Sequence, residues 1–231
     1  MSARLGLRRL ASLALALVLA GCGGGGSDAP PPPPPPSASF DVAAAAFGIA
    51  TASEVFTLYG DIAGTPATLE AAHTALPDAA FSSFGILNRF RRTATLTAAG
   101  AVTTSYEDDY LDLASHLFYG LIDSAGNQAI ASTHAPYPFT ATIGMGGLLY
   151  DSVHYDSTGV AAGRTHTTWS LEQVPGSVTA AYLCINTDFQ DLNGVSTGDR
   201  EYDCYAIATD GRRLGMRITF VSPSFGAVVF Q

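Results

Sequence analysis

The sequence predicts an all-β protein in which an antiparallel meander forms a barrel or half-barrel. Segments rich in Thr, Val, Ile, Tyr and Phe recur from about residue 84 onward. Turn-forming Gly, Asp, Asn and Ser separate these segments, for example at 99–100, 157–159 and 210–211. The connections are too short for the crossovers that a parallel sheet requires, so antiparallel pairing is expected.

Seven segments carry the strand pattern most clearly: 92–96, 101–106, 137–143, 165–171, 178–185, 202–209 and 214–221. In the last of them, Leu214, Met216, Ile218 and Phe220 share one face, while Gly, Arg and Thr occupy the other. The pattern indicates a sheet with one buried and one solvated face. Trp169 alternates with polar neighbours, so we expect it in the core.

The first part of the domain permits more than one interpretation. Residues 40–50 could form a short helix that begins at Ser39. For 65–76, prolines near both ends favour a helix, whereas the alternation between residues 69 and 73 favours a strand. We expect a strand there.

The first 21 residues have the composition of a secretory signal. Arg4, Arg8 and Arg9 precede an apolar run from Leu10 to Ala20. This run is shorter than the roughly 20 residues that a membrane-spanning helix needs. The segment 1–21 therefore predicts a cleaved signal peptide.

The end of the signal carries a more specific motif. Leu19-Ala20-Gly21-Cys22 resembles the lipobox of bacterial lipoproteins. The resemblance implies that Cys22 becomes the first residue of the mature chain and carries covalent acyl chains, palmitate among them, that anchor it in a membrane. In that family an Asp after the cysteine retains the protein at the inner membrane, so Gly23 implies the outer membrane, facing the periplasm, with surface exposure left open. The alternative is an ordinary secretory signal with a chance cysteine.

A tether follows the lipobox. Four glycines begin at Gly23, and seven consecutive prolines run from Pro30 to Pro36, which predicts a flexible segment followed by an extended rod. The predicted organisation is thus a signal at 1–21, a tether at 22–39 and a single β-rich domain at 40–231. Twenty acidic against eleven basic residues argue against nucleic acid as a partner.

Two further cysteines predict a disulfide. Cys184 and Cys204 form an even pair in a chain that carries an export signal. Asn193-Gly194 is a strong turn signal, and Gly194 lies midway between the two cysteines. A regular hairpin would place the two side chains opposite one another. Two free buried thiols are the alternative.

Two short motifs resemble functional sites and lack essential parts. Residues 194–198 match G-x-S-x-G around Ser196, but no histidine follows in the chain, so a hairpin loop is expected. Residues 188–194 resemble a calcium-binding loop, but Phe189 and Arg200 stand where that loop needs carboxylates.

Two groups of acidic and histidine residues are candidate metal ligands. The acidic run at 107–112 is interpreted as a solvated strand edge. The segment 201–205 faintly echoes 106–110, which leaves an internal duplication open. His154, Asp156 and His166 could meet across a hairpin, but no further ligand stands at a recognisable spacing, so surface histidines and no metal are expected.

The sequence contains no complete catalytic set, so it favours a non-enzyme without excluding an enzyme. The first hypothesis is a structural or protein-interaction module of the cell envelope, for which no cavity larger than packing voids is expected. The second is a carrier for an apolar small molecule inside the barrel. The third is a hydrolase. No cofactor is expected besides the lipid on Cys22.

Overall fold

The computed structural model describes residues 38–231. The predicted signal peptide, the lipobox with Cys22 and the tether up to residue 37 lie outside the described residues. The described chain forms fourteen strands and one helix: β1 Ser39–Asp41, α1 Val42–Thr51, β2 Glu54–Ile62, β3 Thr65–Ala80, β4 Ile86–Ala98, β5 Ala101–Asp112, β6 Leu117–Asp123, β7 Gln128–His134, β8 Thr140–Thr142, β9 Gly146–Tyr155, β10 Ala161–Gln173, β11 Ala180–Gln190, β12 Ser196–Ala208, β13 Arg213–Ser222 and β14 Gly226–Phe230.

Twelve of these strands form a closed barrel. Strands β2 to β7 and β9 to β14 follow one another around the wall, and β14 lies beside β2. Each neighbouring pair is antiparallel, as short hairpin connections require. The all-β class and the barrel are therefore confirmed, and the barrel is closed.

Several local predictions need correction. Of the expected strand at 137–143 only β8 is extended, and it leaves the barrel to pair with β1. Five barrel strands, β2, β6, β7, β9 and β14, lie in segments that the strand pattern did not mark. The strand interpretation of 65–76 is confirmed by β3, and the expected short helix is present as α1.

Helix α1 begins two residues later than expected. Its N-cap is Asp41 instead of Ser39, because the Asp41 carboxylate accepts the N–H of Ala44 at 2.9 Å. Its run of alanines favours the helical backbone. No helix within residues 38–231 is long and apolar enough to cross a membrane.

Helix α1 packs into one end of the barrel. The N–H of Asp41 donates to the carbonyl of Thr209, in the turn between β12 and β13, at 3.0 Å. Trp169 is 5% exposed and belongs to the apolar cluster between the helix and the strand ends, so its predicted core position is confirmed. The helix and the strand ends bury a common set of side chains: Val42, Ala45, Ile49, Leu149, Trp169, Leu171, Leu183 and Ile207.

A second apolar cluster fills the wall between β13 and β4. It consists of Leu58, Ala67, Leu69, Ile218, Val228 and Phe230. The two clusters leave the middle of the lumen to polar side chains.

The barrel closes through a short seam between β14 and β2. Phe230 stands opposite Gly60, and the next residues, Tyr59 and Gln231, exchange backbone hydrogen bonds of 3.0 and 3.1 Å. A Cβ on Gly60 would lie 2.4 Å from the carbonyl of Val229, so this approach requires glycine.

Beyond the end of β14, side chains close the seam. Arg213 of β13 forms an ion pair with Glu54 of β2, and its guanidinium lies 4.7 Å from the ring centre of Phe56. The seam is therefore joined by backbone hydrogen bonds near Tyr59 and Gly60. Near Glu54 and Phe56 it is joined by side-chain contacts with Arg213.

The predicted disulfide is confirmed. Cys184 of β11 and Cys204 of β12 are direct register partners, and their sulfurs are 2.14 Å apart. Gly194 lies in the connecting turn with φ +81°, as the turn signal predicted.

Candidate functional site in the barrel lumen

Strand alternation places a charged cluster in the middle of the lumen. Arg92 of β4 points inward, and its register neighbour on β5 is Glu107. The Arg92 Nε donates to Asp109 Oδ2 at 2.6 Å, and its NH2 donates to Glu107 Oε2 at 2.7 Å. Glu201 and Asp203 face the same space from β12, in the opposite part of the wall. Five ionisable side chains thus meet inside the barrel.

Two cavities border this cluster. Their volumes are about 200 Å³ and about 350 Å³, larger than the packing voids of an ordinary protein interior. Arg92, Glu107, Glu201 and Asp203 line both cavities. A single lumen therefore has a polar centre and space on either side of it.

The walls beyond the polar centre are mainly apolar. The first cavity extends towards α1 and is lined there by Ile49, Leu149 and Ile185. The second is lined by Leu69 and by the inward face of β13. Acidic groups are concentrated where the two cavities meet.

Acids outnumber cations along the lumen. Two arginines, Arg92 and Arg213, line the cavities. Six carboxyl groups line them: Glu54, Glu107, Asp109, Asp123, Glu201 and Asp203.

Burial changes the protonation of these acids. Burial, and next the nearby Asp203 carboxylate, raises the pKa of Glu201 to about 8. Burial raises the pKa of Asp109 and of Asp203 to about 6, although Arg92 opposes the shift in both. Because these values lie near neutrality, the lumen holds protons where exposed acids would be fully ionised.

Two lumenal histidines, His73 and His154, add no positive charge at neutral pH. Burial, and next the charge of Arg92, lowers the pKa of His73 to about 4. Its Nδ1–H donates to the carbonyl of Ile49 at 2.9 Å, which ties the end of α1 to β3. Burial also lowers the pKa of His154, which lines the first cavity.

Asp203 has one unsatisfied oxygen. The residue is 8% exposed, and Oδ1 is buried without a hydrogen-bond partner among the described residues. Oδ2 lies 3.9 Å from an Arg92 nitrogen, beyond hydrogen-bond length. A buried, unpartnered carboxylate oxygen carries a free-energy cost that a donor in the lumen would remove.

The two motifs at the β11–β12 turn are structural. Ser196 is exposed there and donates its hydroxyl to Asp188 Oδ1 at 2.6 Å. Asp191 Oδ1 accepts the N–H groups of Asn193 at 2.8 Å and Val195 at 2.9 Å. Both segments form the expected hairpin loop.

His154, Asp156 and His166 do not meet. His154 lines the lumen, whereas His166 bonds to Asp151 at 2.7 Å on the outer face and Asp156 accepts N–H groups within its own turn. The surface interpretation is therefore correct for His166 and wrong for His154. Within residues 38–231, no group of three or more His, Cys, Asp or Glu is arranged to hold a metal ion.

The prediction of a solvated strand edge for the acidic run at 107–112, on β5, is wrong. The run is not a solvated edge, because β5 pairs on both sides and turns Glu107 and Asp109 into the lumen. Asp108 points outward and pairs with Arg91 at 2.7 Å. The available signal was the echo between 106–110 and 201–205, since each segment carries two acids on one strand face.

One serine and one histidine approach each other in the lumen. Ser152 Oγ lies 3.4 Å from His154 Nε2 and 2.6 Å from the hydroxyl of Thr165. Ser152 is only 1% exposed, and its short hydrogen bond is to Thr165. This arrangement does not present a nucleophile to a substrate.

No family model, curated protein or solved structure matches this chain. The inference of function therefore rests on the lumen.

Proposed function

We propose that this protein is a lipid-anchored envelope protein that binds a small organic molecule inside its barrel. The observation that carries the proposal is the pair of cavities, about 200 Å³ and 350 Å³, on either side of the charged cluster. Ligand sites are typically concave and mostly apolar, with a few polar groups that fix orientation. The lumen has this composition. For comparison, an engineered apolar cavity of roughly 150 Å³ holds benzene.

Ligand binding ranks above a purely structural role because of these cavities. A structural or protein-interaction module was expected to have a filled interior, and the described interior does not meet that expectation. A hydrolase is favoured least, because Ser152 is buried and Ser196 lies on an outer turn.

The first cavity extends to the protein surface beside α1. Its lining includes Phe47, which is 43% exposed, and the exposed His116 in the β5–β6 turn. The two rings are 5.5 Å apart between centres. A ligand could enter between the helix and this turn.

The anchor supplies the cellular context of the proposal. The signal and the lipobox support acylation of Cys22 and attachment to the outer membrane, facing the periplasm. Cys22→Ala removes the acylated residue, so the protein should leave the membrane fraction when cells are fractionated. Incorporation of labelled palmitate into the variant, or its absence from the wild-type protein, would contradict the anchor.

Native and denaturing mass spectrometry of the purified protein tests the lumenal ligand. We expect an additional mass under native conditions that disappears on denaturation. Ala46→Leu places extra volume in the first cavity and should reduce the ligand-bound fraction. The matched variant Ala114→Leu, in an exposed turn, should retain it.

Two outcomes would argue against ligand binding. One is wild-type protein that carries no additional mass and binds no apolar probe. The other is an equal loss of bound mass in both alanine variants. The first outcome would favour the protein-interaction module instead.

A further inference from the structure

The charged cluster of the lumen is not electrically balanced. Arg92 is the guanidinium at its centre, and it directly contacts Asp109 and Glu107. Asp203 lies beyond hydrogen-bond distance, and among the described residues Glu201 takes part in no ion pair. The cluster therefore contains one guanidinium and four carboxyl groups.

Arg213 does not supply the missing charge. Its guanidinium pairs with Glu54 at the barrel seam and lies against the ring of Phe56. Burial lowers the pKa of His73, which lines both cavities, and of His154, which lines the first, so neither side chain carries a positive charge near pH 7. The side of the cluster formed by β12 thus has carboxyl oxygens and no cation of its own.

One carboxylate oxygen of Asp203, Oδ1, has no hydrogen-bond partner among the described residues. It is buried in a residue that lines both cavities, beside Glu201 on the same inward face. A carboxylate oxygen accepts hydrogen bonds and donates none when ionised. Its missing partner is therefore a donor, and a positively charged donor is favoured most in this surrounding.

We propose that the ligand of the lumen carries an organic cation, such as a protonated amine, that binds Asp203 and Glu201 while its apolar part occupies the adjoining cavity. This inference rests on the proposed function and specifies the chemistry of its ligand. An anionic head group is disfavoured, because it would face four carboxyl groups, and the Nε and NH2 groups of Arg92 already donate to Asp109 and Glu107.

The residues of the cluster favour an organic cation over a metal ion. Within the described chain, no set of His, Cys, Asp or Glu has a metal-binding arrangement. Leu69, Ile185 and Phe220 instead offer apolar walls next to the acids. This combination suits an amphiphile with one positive group.

A head-group series tests the inference in the wild-type protein. Octylamine, octanol and octanoate share an alkyl chain and differ in charge at neutral pH. We expect calorimetry to show octylamine binding at least about tenfold more tightly than octanol, with octanoate weakest. Equal or tighter binding of octanol or octanoate would overturn the cation site while supporting an apolar pocket. Binding of none of the three would refute the proposed function itself.

Charge removal locates the site. Asp203→Asn keeps the shape and removes the charge, so octylamine affinity should fall by about tenfold while octanol affinity stays unchanged. A merely structural role would change both. Glu70→Gln makes the same charge change on the exposed face of β3 and should alter neither. Unchanged octylamine binding in Asp203→Asn would refute the assignment.

Discussion

The stability of the barrel should fall as the pH rises from about 6.5 to about 8. Glu201 has a folded pKa of about 8 against an ordinary value of 4.5. The folded state therefore binds a proton that the unfolded state has already released. The stability that neutral Glu201 contributes is complete below its ordinary pKa and is lost as the pH rises towards about 8.

Glu201 accounts for most of the change in stability within this window. Asp109 and Asp203 lose their protons near pH 6, below the window. His73 titrates between about 4 in the folded protein and 6.5 when unfolded, and below 6.5 it changes stability in the opposite direction. The other charged or titratable side chains that line the same cavities are Glu54, His73, Arg92, Tyr106, Glu107, Asp109, His116, Asp123, Tyr137, Tyr150, His154, Asp203, Tyr205 and Arg213.

The magnitude follows from linkage. One group protonated only in the folded state changes the free energy of unfolding by about 1.4 kcal/mol per pH unit. Over this window the loss is about 1 to 2 kcal/mol, allowing for partial titration near the upper end. Urea denaturation of the disulfide-intact protein at both pH values measures it.

Two variants make the measurement decisive. Glu201→Gln cannot titrate, so its free energy of unfolding should be the same at both pH values. Glu70→Gln, on the outer face, should show the wild-type decrease. A wild-type stability that is constant or increases over the window would refute the reasoning, as would a wild-type decrease that persists in Glu201→Gln.

Three further predictions concern the fold. Replacing Cys184 and Cys204 by Ser should lower the free energy of unfolding by about 3 kcal/mol in a denaturation experiment, because the bridge closes a 20-residue separation; an unchanged value would contradict this. Leu183→Ala should cost about 2 to 5 kcal/mol in the same assay, because Leu183 is 0% exposed. Gly211→Ala should cost about 2 to 4 kcal/mol, because its Cβ would lie 2.7 Å from the carbonyl of Asp41, whereas Gly159→Ala, with similar positive φ but open space, should cost only about 1 kcal/mol.

The barrel was predictable where local chemistry determines it. Alternation and turn residues predicted the strands from β10 to β13, and Gly194 fixed the register that joins the two cysteines. Barrel closure was not predictable in this way. It depends on pairing between β2 and β14, which are at opposite ends of the domain, and on an approach that only Gly60 permits.

The missed strands have a physical explanation. β7 consists mostly of polar and small residues, so neither a clear alternation nor an apolar run marks it. β6 is apolar on both faces and interrupted by Gly120, so it shows no alternation. Residues 137–143 had strand-like composition, but only β8 found a partner, outside the barrel. Strand pairing depends on neighbours that a local pattern does not contain.

The acidic cluster escaped prediction for a related reason. An acidic run usually marks a solvated surface, so the run at 107–112 predicts exposure even though Glu107 and Asp109 alternate with Asp108. The echo of this pair by Glu201 and Asp203 was visible in the sequence, but its meaning depends on β5 and β12 facing one another around Arg92. Only barrel closure brings them together.

At one end of the barrel, side-chain contacts join β13 to β2. Where Arg213 meets Glu54, an ion pair and a guanidinium–ring contact join the strands, and no ladder pairs of residues 54–58 with β13 are present in the described chain. Separating the strands there breaks side-chain contacts and leaves the backbone ladders intact. Glu54 and Arg213 also line the second cavity. The side of the lumen at this end of the seam is therefore closed by side chains and not by a backbone ladder.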